Sequence, residues 1–405
     1  MLPAGILATA LFALLAFAPF ASAASDPLAS GSTTMTLNSG FTKYLKTFGI
    51  KTSKVSPAKL KGNKATFTVT GGSLDPTTGL GEVTLGGGLK FKAGKKSATV
   101  KALVISTSKK SLTGKVGGKK VKLATVAGSS FTRKGFGVNL TIKKLKMTSA
   151  GANALNKALG FSKGNPKPFL KNKLIAKAAA ETQPSTVTVL PVGNMTFSGS
   201  PILLGKLKNV EAKLETLGQT TQAGTVFTAP ILGGTVSPTG TAGVVQSGLG
   251  FKMVQVLPTS PSTAISTTIS LGGVYVDLSA KTATVEVIAE SNAEVEGKKP
   301  LNLGNLGRSS IADLVVTGVN ADPTTRTVGI NAAAVLQPIS AEVLQGFVSV
   351  DKGYVENVTF LTKKGEGKTD EEAAAAAKAA GEEVAKNSIA AGEALGTFSF
   401  TAQTQ

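Results

Sequence analysis

The chain of 405 residues contains no histidine, no cysteine and no tryptophan. Without histidine there is no Ser-His-Asp or Cys-His relay, no imidazole general base and no His-based zinc site. Without cysteine there is no thiolate nucleophile, no Cys-rich metal site and no disulfide, so each domain must be held by burial alone. Aromatics make up 5% of the chain, with three tyrosines, which leaves too few stacking platforms for sequence-reading nucleic-acid binding. Catalysis would have to rest on carboxylates, lysine or tyrosine, and the first half is poor in carboxylates. The composition reads as non-enzymatic.

Long hydrophobic runs are scarce too. Ile6 to Phe17 is an apolar run of signal-peptide length, followed by Ala21-Ser22-Ala23 as an A-x-A cleavage site. Its n-region lacks Lys and Arg, and an uncleaved anchor is the alternative, although Pro19 and small residues end the run. Residues 1–23 are therefore read as a signal peptide and the protein as secreted or associated with the cell surface. No later segment is long and apolar enough to cross a bilayer as a helix.

What is abundant is positive charge, and it is unevenly placed. Residues 24–184 carry 29 Lys and Arg against 4 Asp and Glu, a balance of about +25, and the remainder is near neutral. Such an excess points to an anionic partner, either an anionic cell-wall polymer or a membrane surface, or else to a sheet surface kept soluble by repulsion.

A stretch occurs twice. Phe67, Gly71-Gly72, Pro76, Gly79, Gly81 to Val83 and Gly88-Leu89 with Phe91 reappear as Phe227, Gly233-Gly234, Pro238, Gly240, Gly243 to Val245 and Gly248-Leu249 with Phe251. Each copy reads as a strand, a Gly-Gly turn, a Pro-marked loop and a strand. Leu103 to Val116 aligns without gaps on Val274 to Val287, and Ser129-Ser130 matches Ser309-Ser310. Tandem duplication is the economical explanation.

The elements around these blocks follow from periodicity. Phe41, Tyr44, Leu45 and Phe48 fall on one face of a short helix ending at Gly49. Thr148 or Ser149 caps a second helix that stops at Gly160. In the second copy, helices are expected over Leu207–Leu217 and Ser340–Gln345, with Val355–Leu361 as a strand. A capped Ala-rich helix at about 370–387 and a closing strand at 391–402 complete that copy. The fold class is mainly β: two tandem antiparallel β-sandwich-like domains, each with one or two short helices, at 32–180 and 191–402, joined by a linker at 181–190.

Few residues invite a chemical role. Gly365 to Thr369 resembles a phosphate loop but lacks the first glycine, since Thr362 stands there. Glu286, Glu290, Glu294 and Glu296 cluster along a strand and a polar turn, which a solvated edge explains. Asp75, before Pro76, is a turn former. Tyr44 is either a half-buried core tyrosine with its hydroxyl at the rim, or a ligand.

Phe41-x-x-Tyr44 on a short helix, the Gly81-x-Val83 strand and Gly87-Gly88-Leu89-x-Phe91 resemble the HtaA, or haem-transport-associated, domain of secreted and surface proteins in actinobacteria. Two tandem copies are implied, the second divergent. The resemblance implies a β-sandwich that binds haem through a tyrosinate, with a histidine hydrogen-bonded to it. Tyr44 is then the candidate haem ligand, and haem or haem proteins are the candidate partners. The family's histidine falls near Thr84 to Gly87, which here contains none. Two functions stay open: haem binding or relay at the cell surface, or a cofactor-free envelope protein whose basic first domain binds anionic polymer or lipid.

Overall fold

The computed structural model describes residues 25–161, 166–260, 263–292 and 304–405. The expected signal peptide, Glu294 and Glu296 lie outside these. The chain divides into two compact units, residues 25–133 with 137–183, and residues 184–405 with 134–136. Both are closed antiparallel barrels flanked by helices.

In the first unit the order is β1 (Asp26–Leu37), α1 (Ser39–Thr47), β2 (Lys51–Val55), β3 (Lys59–Lys61), β4 (Lys64–Leu74), β5 (Gly81–Ala93), β6 (Lys96–Ser106), β7 (Ser111–Val116), β8 (Lys119–Lys134), β9 (Gly137–Met147), α2 (Ser149–Ala158) and β10 (Leu174–Pro184). Pairing runs from β5 through β6 to β10, on to β1 and β4, and returns from β4 to β5, which closes the ring. Alternation along β4 and β9 sends Ala65, Phe67, Val69, Leu140 and Ile142 inward and leaves their neighbours to solvent. Each fully buried Leu, Ile or Phe stabilises the barrel by roughly 1.5–3 kcal/mol before entropy is charged against it.

The second unit repeats this plan. β11 (Val187–Val189) and β12 (Asn194–Gly199) lead to α3 (Pro201–Asn209), β13 (Ala212–Thr216), β14 (Thr221–Ala223), β15 (Val226–Val236), β16 (Gly243–Ser247), β17 (Phe251–Ser260), β18 (Thr263–Asp277), β19 (Thr282–Ser291), β20 (Gly304–Asp322) and β21 (Thr327–Leu336). α4 (Pro338–Gly365), α5 (Asp370–Ala385) and β22 (Ala394–Gln403) follow. The ring β15, β12, β22, β21, β20, β19, β18, β16 closes where β16 pairs with both β15 and β18. The counterpart of β5 is split into β16 and β17, and β13 stands where β2 stood. The duplication read from the sequence is a duplication of barrels.

The repeated glycines have a different role from the one expected. Gly71-Gly72 and Gly233-Gly234 are not turns but lie inside β4 and β15, next to bulges. Gly72 and Gly234 have φ of 109° and 129°, and a Cβ on either would run into the carbonyl of Glu82 or Val244 on the facing strand. The strands cross there closer than a side chain permits. The turn comes later, at Asp75 in the first copy and Ser237 in the second.

Two helix assignments are corrected. Leu207–Leu217 is not a helix: α3 starts earlier, at Pro201, with Ser200 capping the amide of Leu203, and ends before Glu211, which has a φ of 56°. Proline preset at the first helical position fixes the start. The expected short helix at 340–345 and the strand at 355–361 form one helix of 28 residues, α4, and the glycine loop is the connection from its end to α5. Val343, Leu344, Phe347, Val348 and Val350 bury its inner face, so tertiary packing overrides the β-branched preference of Val355, Val358 and Thr359. The capping box at Thr369 and Glu372 forms as expected.

Each barrel encloses an apolar cavity, of about 60 Å³ in the first and about 90 Å³ in the second. Among the described residues no helix is long and apolar enough to cross a membrane.

Candidate functional site

Tyr44 is placed by α1, whose N-cap Asn38 accepts a hydrogen bond from the Phe41 amide at 3.0 Å. Phe41 and Leu45 turn into the core, and Tyr44 sits half-buried at the rim. Its ring meets Phe48 edge-on at 5.2 Å, and Phe48 meets Phe161 at 5.8 Å. The phenol hydroxyl donates to the carbonyl of Lys167 at 3.1 Å. The phenol proton is therefore engaged in that hydrogen bond.

The stretch where the resemblance implies a histidine has no space for one at its glycines. A Cβ on Gly86 would lie 2.6 Å from Thr68 Oγ1 and 2.9 Å from Thr70 Cγ2. Gly87, at φ 84°, is pressed against the backbone of Ala58 and Val55. The residues around Tyr44 thus do not form the histidine-assisted tyrosinate that the resemblance implies. No group of three or more Asp or Glu is placed to hold a metal among the described residues.

The second copy has no tyrosine at the equivalent position. Counting from the N-caps Asn38 and Ser200, the position of Tyr44 is occupied by Lys206. Its ammonium donates to both oxygens of Glu393, at 2.9 and 2.8 Å, and to the Ser388 carbonyl at 2.7 Å. The hydrogen bond from Lys206 holds the Glu393 carboxyl below the usual range. The misplaced helix start hid this equivalence in the sequence.

Among the described residues the carboxylates do not assemble a catalytic pair. Burial pushes Asp75 up, but hydrogen bonds from the side chains and amides of Thr77 and Thr78 outweigh it and hold its pKa low. That is turn chemistry, as the sequence implied. Glu82 is kept low by the hydrogen bond from Lys109 at 2.9 Å. Glu286 pairs with Arg308 at 3.1 Å, and Arg308 stacks 3.7 Å over the Tyr275 ring. Asp351 is the exception: burial first, and the nearby charge of Glu211 second, raise its pKa to about 6. It lines neither cavity. Gly160-Phe-Ser-Lys-Gly164 has the G-x-S-x-G spacing of a nucleophile elbow. Without a histidine it has no base, and residues 162–165 lie outside the described set.

Strand register gathers what the sequence spread out. Lys101 in β6 lies directly opposite Lys115 in β7, which lies directly opposite Lys120 in β8. All three are exposed, as are Lys92 and Lys51, opposed across β5 and β2. Like charges in directly opposed positions cost a sheet roughly 0.2–1 kcal/mol each. Few acids of this unit offset them: Asp75 is tied into its turn, Asp26 lies 4.0 Å from Arg133, and Glu82 pairs with Lys109, with the charge of Lys120 acting on it more weakly.

No family model and no curated protein matches the chain. Among solved structures it is similar to the C-terminal domain of HtaA from Corynebacterium glutamicum, at 12% identity and a TM-score of 0.30, covering 39% of this chain and 98% of that domain. It is similar as well to the N-terminal domain of the same protein, at 11% identity and a TM-score of 0.30, covering 53% of this chain and 97% of that domain.

Proposed function

We propose that this chain is a non-enzymatic binding protein of the cell exterior whose basic first barrel docks on a phosphate-rich anionic polymer of the envelope. The observation that carries this is the opposed row Lys101, Lys115, Lys120. A sheet that places three ammonium groups side by side gives up stability unless a polyanion bridges them, and a linear run of phosphates matches a linear run of lysines. Binding of polyphosphate to the full chain tests it. The account expects micromolar or tighter binding at low salt that weakens steeply as salt rises, because screening shortens to about 8 Å near physiological ionic strength. Anionic phosphatidylglycerol vesicles form the second arm: binding to vesicles but not to polyphosphate transfers the role to lipid head groups.

Haem binding through Tyr44 is the rival reading. Its support is the half-exposed phenol beside Phe48 and Phe161 on a strongly basic domain suited to carboxylate-bearing ligands. Haem would have to take the Tyr44 oxygen from the Lys167 carbonyl and remove its proton with no histidine to assist. Haem titration separates the readings: a Soret shift lost in Tyr44→Phe favours haem, and no shift in the wild type rejects it.

A further inference from the structure

The second barrel differs from the first in its interior. In the first, α2 holds the returning chain through Asn156, which accepts from the Phe169 amide at 3.1 Å and donates to its carbonyl at 2.8 Å. The Phe169 ring is thereby set against Phe41 at 6.0 Å and Phe91 at 5.4 Å, and plugs that barrel. In the second, Gln345 occupies the same place on α4, counted from the N-cap, and accepts from the amide of Ile389 at 2.7 Å. An aliphatic side chain thus replaces the phenyl plug, and Leu203 replaces Phe41. The space left is the larger cavity of about 90 Å³, walled by Leu203 and Leu207 of α3, Phe251 of β17, and Val343 and Leu344 of α4.

One part of this wall is polar and unsatisfied. Ser310 of β20 and Ser340 of α4 both line the cavity, and their hydroxyl oxygens are buried with no hydrogen-bond partner among the described residues. Ser340 is 9% exposed and lies in the first turn of α4, whose N-cap Gln337 makes no side-chain cap. Beside it Ile339, also lining the cavity, is 47% exposed and marks a mouth. Two donors without acceptors at the edge of an apolar chamber are costly in the empty protein and satisfied by a ligand oxygen.

We infer that the second barrel binds a short- to medium-chain aliphatic molecule ending in an oxygen-bearing group, with the alkyl part in the chamber and the oxygen on Ser310 and Ser340. An apolar cavity of about 150 Å³ takes up benzene, so about 90 Å³ encloses some four carbons and a longer chain leaves by the mouth. No Lys or Arg among the described residues lines the chamber, which favours a neutral head over a carboxylate. The site lies on the barrel-facing side of α3, apart from Lys206 at the position of Tyr44, and is independent of polyanion docking by the first barrel.

The test is a methyl NMR titration of the full chain with 1-hexanol, n-hexane and hexanoate. Shifts confined to cavity methyls such as Leu203, Val343 and Leu344 are expected. Hexanol should bind about threefold to tenfold tighter than hexane, the worth of one net hydrogen bond. Ser310→Ala with Ser340→Ala should abolish that preference while leaving hexane binding intact. Val343→Phe should block all three ligands, and its methyl spectrum reports whether it folds. Equal affinity for hexanol and hexane in the wild type, a preference that survives both alanines, or no cavity shifts at all would overturn the inference.

Discussion

Replacing Asp351 by Asn should make the second barrel more stable at neutral pH and leave it unchanged in acid. Asp351 is 5% exposed on α4, with Glu211 the nearby charge, and its pKa rises from 3.8 to about 6 on folding. A carboxyl with a raised folded pKa binds its proton more tightly in the native state, so stability falls as pH climbs from about 3.8 to about 6 and is flat above. Two pKa units at about 1.4 kcal/mol each set the loss at up to about 3 kcal/mol. Asn carries no such penalty. Carboxyls with lowered pKa, such as Glu393, act in the opposite direction, but they are shared by both proteins and cancel in the difference. The assay is urea unfolding at pH 4 and pH 7.5, with hydrogen exchange along α4 as the local readout. The Asn variant should gain about 1–3 kcal/mol at pH 7.5 and nothing at pH 4. A difference that does not depend on pH, or a loss at both values, would refute the reasoning.

Four other substitutions probe the framework. Phe169→Ala should cost about 3–5 kcal/mol by opening the plug of the first barrel, measured by chemical denaturation. Gly87→Ala should cost at least about 1–2 kcal/mol from the positive φ alone, with more from the clash against Ala58, and Gly86→His should lower the melting temperature without conferring a Soret shift on added haem. Lys115→Glu should raise stability by roughly 0.2–1 kcal/mol while weakening polyphosphate binding, so that stability and affinity move in opposite directions.

The features legible in the sequence were the local ones. Caps at Thr148 and Thr369, the face carrying Phe41 and Tyr44, and the collinear glycine blocks depend on neighbours in the chain, and each is found in the structure. α4 was not legible because the alternation around Val355 and Val358 resembles a strand, and only the packing of Phe347 and Val350 decides it. Lys206 was hidden by a helix start displaced by six residues, a difference that Pro201 and Ser200 settle once the cap is recognised. The lysine row could not be read at all. It depends on bulges between Lys101 and Val104 and between Leu112 and Thr113, which set the register across three strands. The cavity and its two unpartnered serines join α3, β20 and α4, and no pattern within one segment reports on that.

The central claim is that the opposed lysines form a polyanion site, and the most direct test is the salt dependence of polyphosphate binding. The wild type is compared with a variant in which Lys101, Lys115 and Lys120 are all Gln, and with a control in which Lys143, Lys144 and Lys146 are Gln. The account predicts a steep log–log salt slope for the wild type that falls by about 2–3 in the first variant, near one unit for each neutralising lysine removed. The control, equal in net charge, should lose markedly less. Equal losses in both variants, or binding indifferent to salt, would contradict it.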